Sequence, residues 1–145
     1  MSGIDWDAIE ERKQPGPSDI KSVIKQVQQM PGAGDQQHVS AVFPIYGDTL
    51  PNTPKGAWDN AKIKVVKFKK LKATNAQLDR QNLIWHVQNP GKSKMKSAHN
   101  THPQIILTSK GDYIVSDGHH RLSALKLLGL KKELCWLLKE QDMNK

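Results

Sequence analysis

The densest group of reactive side chains in this chain is the run Asp117-Gly118-His119-His120-Arg121. Arginine can form two hydrogen bonds with phosphate oxygens, and histidine exchanges a proton near neutral pH. The run lies where a helix is expected to begin, and Gly118 would let that backbone approach an anion closely. The run therefore predicts a binding site for a phosphate or carboxylate group. The predicted phosphate contacts are Gly118, His119, His120, Arg121 and Ser123.

Several roles are open for the individual residues. Asp117 is compatible with a helix N-cap, a magnesium ligand or a general base. His119 and His120 would either contact a ligand or take part in packing and capping. Consecutive helical residues project about 100° apart, so the two rings cannot both face the same point. In an enzyme, Asp117 would hold Mg²⁺, a histidine would move a proton and Arg121 would stabilise charge on phosphoryl oxygens during phosphodiester or nucleotide hydrolysis. Such sites usually gather several carboxylates, and the basic middle of the chain offers only Asp79.

The elements that must position this run are indicated by the flanking residues. Two short segments with apolar centres, at 104–108 and 113–116, flank a Gly-containing turn, which predicts a hairpin. Leucines at helical spacing follow over 119–128, and Gly129 would end that helix. The other predicted elements of the domain are a strand at 62–68, a helix at 76–87 and a buried last strand at 130–138.

Positive charge is concentrated in the middle of the chain. The formal net charge is +8, and residues 61–96 carry ten basic side chains against one acidic one. Such a region attracts polyanions. Lysines also keep an edge strand from pairing with another chain and keep a protein in solution. The lysines expected to form a nucleic-acid surface are Lys62, Lys64, Lys67, Lys69 and Lys70.

Residues 1–60 are interrupted by prolines and glycines and show no continuous strand pattern. This predicts an extended arm with one short amphipathic helix near 19–30. The arm would suit a homo-oligomer or a protein assembly. Residues 61–139 would form the folded domain, and residues 140–145 a frayed tail.

Composition excludes several classes of protein. A chain of 145 residues has room for one ordinary domain plus a tail. Its single cysteine, Cys135, excludes an intrachain disulfide framework and a zinc site built from several thiolates. No run approaches 18 apolar residues, which predicts no membrane span.

The spacing of His99 and His102 is a weaker metal signal, because it lies on a predicted loop. The tryptophans Trp58, Trp85 and Trp136 would stack on bases or fill the core.

The segment from Tyr113 to Gly129 resembles the signature segment of the ParB/sulfiredoxin superfamily. Residues 66–74 are similar to the opening strand and turn of that family, and residues 102–107 to its element of a proline followed by a strand. The resemblance covers about residues 62–138. It implies a small α+β domain with a mixed sheet and packed helices, in which the loop at Gly118 cradles the phosphates of a nucleotide such as CTP or ATP, with or without Mg²⁺.

The resemblance is incomplete at the site. Gly118 and Arg121 match the Gly-Glu-Arg-Arg stretch with which ParB binds CTP, whereas His119 and His120 depart from it. Sulfiredoxin has its reactive cysteine at the place of His119, so its chemistry is excluded here. Cys135 does not replace it, since that residue lies in the apolar last strand, where a thiol is usually buried and inert.

Two functions follow as hypotheses. The first is a ParB-like protein that binds nucleotide or nucleic-acid phosphate, with metal-dependent nuclease or NTPase activity as its enzymatic form. The alternative is a catalytically inactive ParB-like structural or interaction protein, of the kind that bacteriophages use in assembly, acting through residues 1–60. The expected location is the cytoplasm of a bacterial host or a virion.

Overall fold

The computed structural model describes residues 17–32, 35–92 and 101–144. In these ranges the protein is a small α+β domain with three α-helices, a mixed sheet of five strands and a separate sheet of two strands. The expected fold class is therefore confirmed. None of the helices in these ranges has the length and apolar character needed to cross a membrane.

The order of strands across the larger sheet is β2-β7-β5-β6-β3. Strand β7 is antiparallel to β2 and parallel to β5, β5 and β6 form an antiparallel hairpin, and β3 runs parallel to β6. Strands β1 and β4 form the small antiparallel sheet. The helices are α1 (Pro17–Gln29), α2 (Arg80–Gln88) and α3 (His119–Leu127). The strands are β1 (His38–Ser40), β2 (Lys62–Lys67), β3 (Leu71–Lys72), β4 (Gln77–Asp79), β5 (Gln104–Leu107), β6 (Tyr113–Asp117) and β7 (Lys132–Lys139).

Both faces of the larger sheet are covered. Because side chains alternate along a strand, Ile105 and Val115 face α3, whereas Ile106 and Ile114 face the other way. On the first face they join Leu122 in one core cluster. On the second face the cover comes from Ala57 of the 3₁₀ turn Ala57–Asn60 and from Met143 of the C-terminal segment, which pack in one cluster with Leu138 of β7.

The residues before β2 are not a separate arm. Helix α1 buries Val23 and Val27 in a cluster with residues of α2, and Phe43 belongs to the core between the sheet and α3. A helix of this length is marginal alone in water, so it gains stability by packing. The expectation of an extended arm over 1–60 is therefore corrected for 17–32 and 35–60, while the helix expected near 19–30 is α1. Residues 1–16 lie outside the described ranges.

Two predicted boundaries also change. The tail is not frayed as far as residue 144, because Glu140–Asp142 form a 3₁₀ turn and Met143 is only 4% exposed. The helix expected at 76–87 begins at Arg80, because residues 77–79 pair with β1 as strand β4. The Arg80 guanidinium donates to the carbonyl oxygens of Val27, in the last turn of α1, and of Met30, just after it, at 2.6 and 2.9 Å.

Candidate functional site

The predicted site lies where β6 passes into α3. The pairing of β5 with β6 shifts by one residue between Gln104 and Ile105, so Ser116 is an extra residue in β6. Such a bulge bends a strand and redirects its side chains. Here it leaves Ser116 and Asp117 exposed at the end of the strand.

Gly118 is required by the geometry of the chain at this point. Its φ of 95° is left-handed, and a Cβ added to it would lie 2.8 Å from the Cβ of Pro103. No other residue type fits both conditions without strain. The sequence predicted that an anion would lie close to the Gly118 backbone. On the side where a Cβ would point, Pro103 occupies that place instead.

Asp117 is not the N-cap of α3, which is Gly118. The Asp117 Oδ1 instead accepts a hydrogen bond of 2.8 Å from the Gly118 N–H. Within the described ranges, no group of three His, Cys, Asp or Glu side chains is placed to hold a metal ion. The described residues around Asp117 therefore do not fit a resident Mg²⁺.

His119 is buried and holds the turn after β3. Its Nε2 accepts a hydrogen bond of 3.0 Å from the Thr74 N–H, while the Thr74 hydroxyl donates to the Val115 carbonyl at 2.7 Å. Burial, followed by the nearby charge of His120, lowers the pKa of His119 to about 4, although Asp117 acts in the opposite direction. An acceptor Nε2 leaves the proton of the neutral ring on Nδ1. His119 is therefore neutral near pH 7.

His120 holds the other end of the same loop. Its Nε2 accepts a hydrogen bond of 2.9 Å from the Asp79 N–H, and its ring stacks on His86 with centroids 6.5 Å apart. The two histidines thus face different points, as expected for consecutive helical residues. Both ring acceptors are directed at the backbone of the segment between β3 and α2.

Arg121 is a buried positioning residue in this geometry. Its side chain is 9% exposed, Nη1 donates to the Thr101 carbonyl at 2.8 Å, and Nη2 lies 3.8 Å from Oε2 of Glu133. The guanidinium thus ties the residues before β5 to strand β7. Ser123 is 1% exposed, which removes its hydroxyl from the surface where a ligand would arrive.

The predicted lysine surface is divided by the alternation of β2. Lys62 and Lys64 pair with Leu137 and Cys135 on the face that α3 covers, whereas Lys67 points to the opposite face. Lys69 and Lys70 lie in the 3₁₀ turn after β2 and are exposed.

The cysteine, the two histidines and the three tryptophans that were weaker signals in the sequence have the following surroundings. Cys135 is fully buried, and burial raises the pKa of its thiol, which agrees with an inert role. His102 contacts the Trp136 ring edge to face, and its pKa is lowered by burial and by the charge of Arg121. His99 lies outside the described residues. Trp58, Trp85 and Trp136 are all half-buried.

Sequence reasoning missed the residues that organise the site from outside the motif. Thr74 and Asp79 contribute backbone N–H groups, which leave no mark in a sequence. Glu133 did leave a signal, because it is an acidic residue in an otherwise apolar last strand, and such a residue usually has a charged partner when it is buried.

No protein-family model, no curated protein and no solved structure matches this chain. The function is therefore inferred from the geometry and chemistry of these residues.

Proposed function

We propose that this chain binds phosphate groups of a nucleotide or a nucleic acid at the first turn of α3. One observation carries the proposal. The start of α2 is capped by Asp79, whose carboxylate accepts from the N–H groups of Gln81 and Asn82, whereas α3 starts at Gly118, which has no side chain to cap it. The positive end of a helix dipole without a capping carboxylate favours an anion.

The surroundings of this turn also favour binding. The bulge in β6 leaves Ser116 and Asp117, the two residues before the Gly118 cap, exposed to solvent. His119 and His120 hold one neighbouring loop, and Arg121 holds the other. A backbone fixed in this way loses little conformational freedom when a ligand arrives.

The proposal is for binding rather than hydrolysis. A general acid or base works best with a pKa near the working pH, and the pKa of His119 is about 4. The resemblance to ParB, with Gly118 and Arg121 in matching places, supports CTP or ATP as the first ligands to test. A ParB/sulfiredoxin-like family membership is part of this proposal.

A series of charges beside the turn tests the proposal. Ser116→Glu adds a carboxylate next to the turn, and Asp117→Asn removes one. We expect the affinity for CTP or ATP to rise from Ser116→Glu through wild type to Asp117→Asn by roughly fivefold per step, since one charge near a partly exposed anion is worth about 1 kcal/mol. Isothermal titration calorimetry at low salt measures it.

Asp59→Asn is the matched control, because it changes the net charge equally on the opposite face of the sheet. It is expected to leave nucleotide affinity unchanged. An absence of saturable nucleotide binding by wild type, or equal effects of Asp59→Asn and Asp117→Asn, would contradict the proposal.

Arg121 needs a paired variant. Arg121→Ala alone would leave the buried Glu133 carboxylate without its neighbouring cation and would destabilise the fold by about 3 kcal/mol or more. Arg121→Gln combined with Glu133→Gln removes both charges. We expect this double variant to keep nucleotide affinity within about threefold, a change of about 0.65 kcal/mol, which is near the lower limit for a single hydrogen bond. Complete loss of binding would instead make Arg121 a direct phosphate ligand.

A second candidate function is a structural or interaction protein without catalysis, as in a bacteriophage assembly. The observation that favours it is the exposure of Ile45 and Leu50, large apolar side chains that are 51% and 52% exposed. Ile45→Ser with Leu50→Ser would then abolish a self-association measured by light scattering and leave nucleotide affinity unchanged. A wild-type protein that stays monomeric at high concentration would count against self-assembly.

A further inference from the structure

The edge of the larger sheet at β2 carries apolar side chains on the face that points away from α3. Ile63 stands directly opposite Trp136, and Val65 directly opposite Leu134, in the antiparallel pairing of β2 with β7. Directly opposed residues lie on the same face of a sheet and are close neighbours, so these four side chains form one group. All four residues are half-buried. We call this group the apolar edge face.

The cover of this side of the sheet is complete only farther from the edge. Ile106 and Leu138 are buried there beneath the 3₁₀ turn and the C-terminal segment. Ile63, Val65 and Leu134 belong to none of the core clusters formed by the described residues. An apolar surface that extends beyond its cover is typical of a contact with a further segment or molecule.

Lysines of the same edge strand border the apolar edge face. Lys67 points to the same side of the sheet, whereas Lys62 and Lys64 point to the side of α3. Within the described ranges these three residues, the β2 lysines, form no ion pair. Charges on two surfaces that bind one another are usually complementary. The occupant of this face is therefore expected to combine apolar and acidic side chains.

The N-terminal segment of this chain has that composition. Residues 1–11 contain four acidic side chains and no basic one, and large apolar residues lie among the acidic ones. The acidic residues are Asp5, Asp7, Glu10 and Glu11, and the apolar residues among them are Ile4, Trp6 and Ile9. The chain between Ile4 and Pro17, where α1 begins, can span roughly 40 Å, more than the diameter of about 35 Å expected for a domain of this size.

We propose that residues 4–11 bind to the apolar edge face of the same chain, with their carboxylates beside the β2 lysines. Burial of the Trp6 ring would supply the largest apolar area of this contact. Attachment through α1 gives the segment an effective concentration in about the millimolar range, which a separate peptide or protein would have to exceed. A nucleic acid would match the lysines but would leave Ile63 and Val65 without an apolar partner.

Carbodiimide cross-linking of the full chain tests the contact, because this reagent joins a carboxylate directly to a lysine that touches it. Mass spectrometry of the monomeric fraction is expected to find links from the acidic residues of 4–11 to the β2 lysines. Lys126 and Lys139 are exposed lysines elsewhere and serve as the reference. Links to these two as frequent as links to the β2 lysines, or no link to the β2 lysines, would overturn the inference.

Two variants remove the apolar part of the contact and keep every carboxylate and lysine. One carries Ile4→Ser, Trp6→Ser and Ile9→Ser, and the other carries Ile63→Thr and Val65→Thr, which keeps β-branched residues in β2. We expect the links to fall roughly tenfold in each, because burying one large apolar side chain is worth at least that factor. Circular dichroism checks that both variants keep their secondary structure.

The matched control is Ile45→Ser with Leu50→Ser, which removes exposed apolar side chains at another place and should leave the links unchanged. Unchanged links in the two variants, or an equal fall in the control, would overturn the inference. An equal mixture of labelled and unlabelled protein shows which chain supplies the segment. Links of mixed isotope composition would assign the occupant to a second copy and overturn binding within one chain.

This inference goes beyond the proposed phosphate site, because it uses other residues and is tested without nucleotide. If CTP or ATP binds with the expected dependence on Asp117 and the β2 lysines give no links, only the inference is overturned. If the links form as expected and wild type binds no nucleotide, the inference stands and the proposed α3 site is overturned.

Discussion

The starts of α2 and α3 use similar residues in different registers. Both helices have nine residues and both follow a β-strand that ends in aspartate. At α2 the aspartate, Asp79, is itself the N-cap and bonds to the N–H groups of the first turn. At α3, Gly118 is inserted after Asp117, so the carboxylate bonds to the glycine N–H and the cap has no side chain. One inserted glycine thus moves a carboxylate away from the cap position.

The start of α2 also depends on side chains of α3. The ring of His120, in the first turn of α3, accepts from the Asp79 N–H and so supports the cap of α2. His119 supports the Thr74 turn that leads there. The side chains of α3 therefore stabilise the start of α2, while the cap of α3 itself has no side chain. The first start therefore has a structural cap, and the second start, which has none, is the one at which we propose a ligand.

The largest expected effect comes from replacing Gly118, the glycine at the N-cap of α3. Gly118→Ala should lower the free energy of unfolding by about 3 kcal/mol, because a left-handed conformation costs a non-glycine residue 1–2 kcal/mol and the new Cβ would collide with Pro103. Urea denaturation measures it.

Gly111→Ala separates these two causes. Gly111 has a φ of 92°, close to that of Gly118, but a Cβ there would meet nothing within 4 Å. We expect a loss of about 1 kcal/mol at Gly111. Equal losses at the two glycines would show that the contact with Pro103 contributes nothing.

Local patterns explain why much of this region could be predicted. The hairpin of β5 and β6, the position of α3 and its end before Gly129 all follow from apolar periodicity and from residues with special backbone freedom. The cap itself differs from the prediction, because Asp117 was the N-cap candidate and Gly118 occupies that position. These signals are contained within a few neighbouring residues.

The rest depends on contacts between distant parts of the chain. Val39 and Phe43 are buried although nothing periodic surrounds them, so residues before 60 resembled an arm. Residues 77–79 look helical by spacing and become a strand only because β1 lies beside them. The roles of His119 and His120 depend on backbone N–H donors, which every residue except proline carries.

The second prediction concerns the pH dependence that His119 confers. Its pKa of about 4 in the folded protein is below its ordinary value of 6.5, so between these values the unfolded chain binds a proton that the folded protein does not. The contribution is fully present above about pH 6.5 and is lost as pH falls toward 4. We expect a loss of about 2 kcal/mol at pH 5 relative to neutral pH, measured by urea denaturation.

His119→Gln keeps an amide acceptor for the Thr74 N–H but does not titrate. This variant should show a smaller loss between pH 7 and 5 than wild type by about the same 2 kcal/mol. An unchanged pH profile would mean that His119 is protonated in the folded state, and the hydrogen bond from Thr74 would then have to be broken.

The smallest expected effect tests the contrast between the two helix starts directly. Asp79→Ala removes the cap of α2 and should lower the free energy of unfolding by about 1 kcal/mol, the usual loss for an N-cap. Asp117→Ala removes the residue that precedes the cap of α3 and should change this free energy by less than about 0.5 kcal/mol, since the carboxylate is exposed and, among the described residues, bonds to the next N–H. If Asp117→Ala were as destabilising as Asp79→Ala, Asp117 would act as a cap for α3. The first turn of α3 would then already have its anion, and the proposed phosphate site would lose its main support.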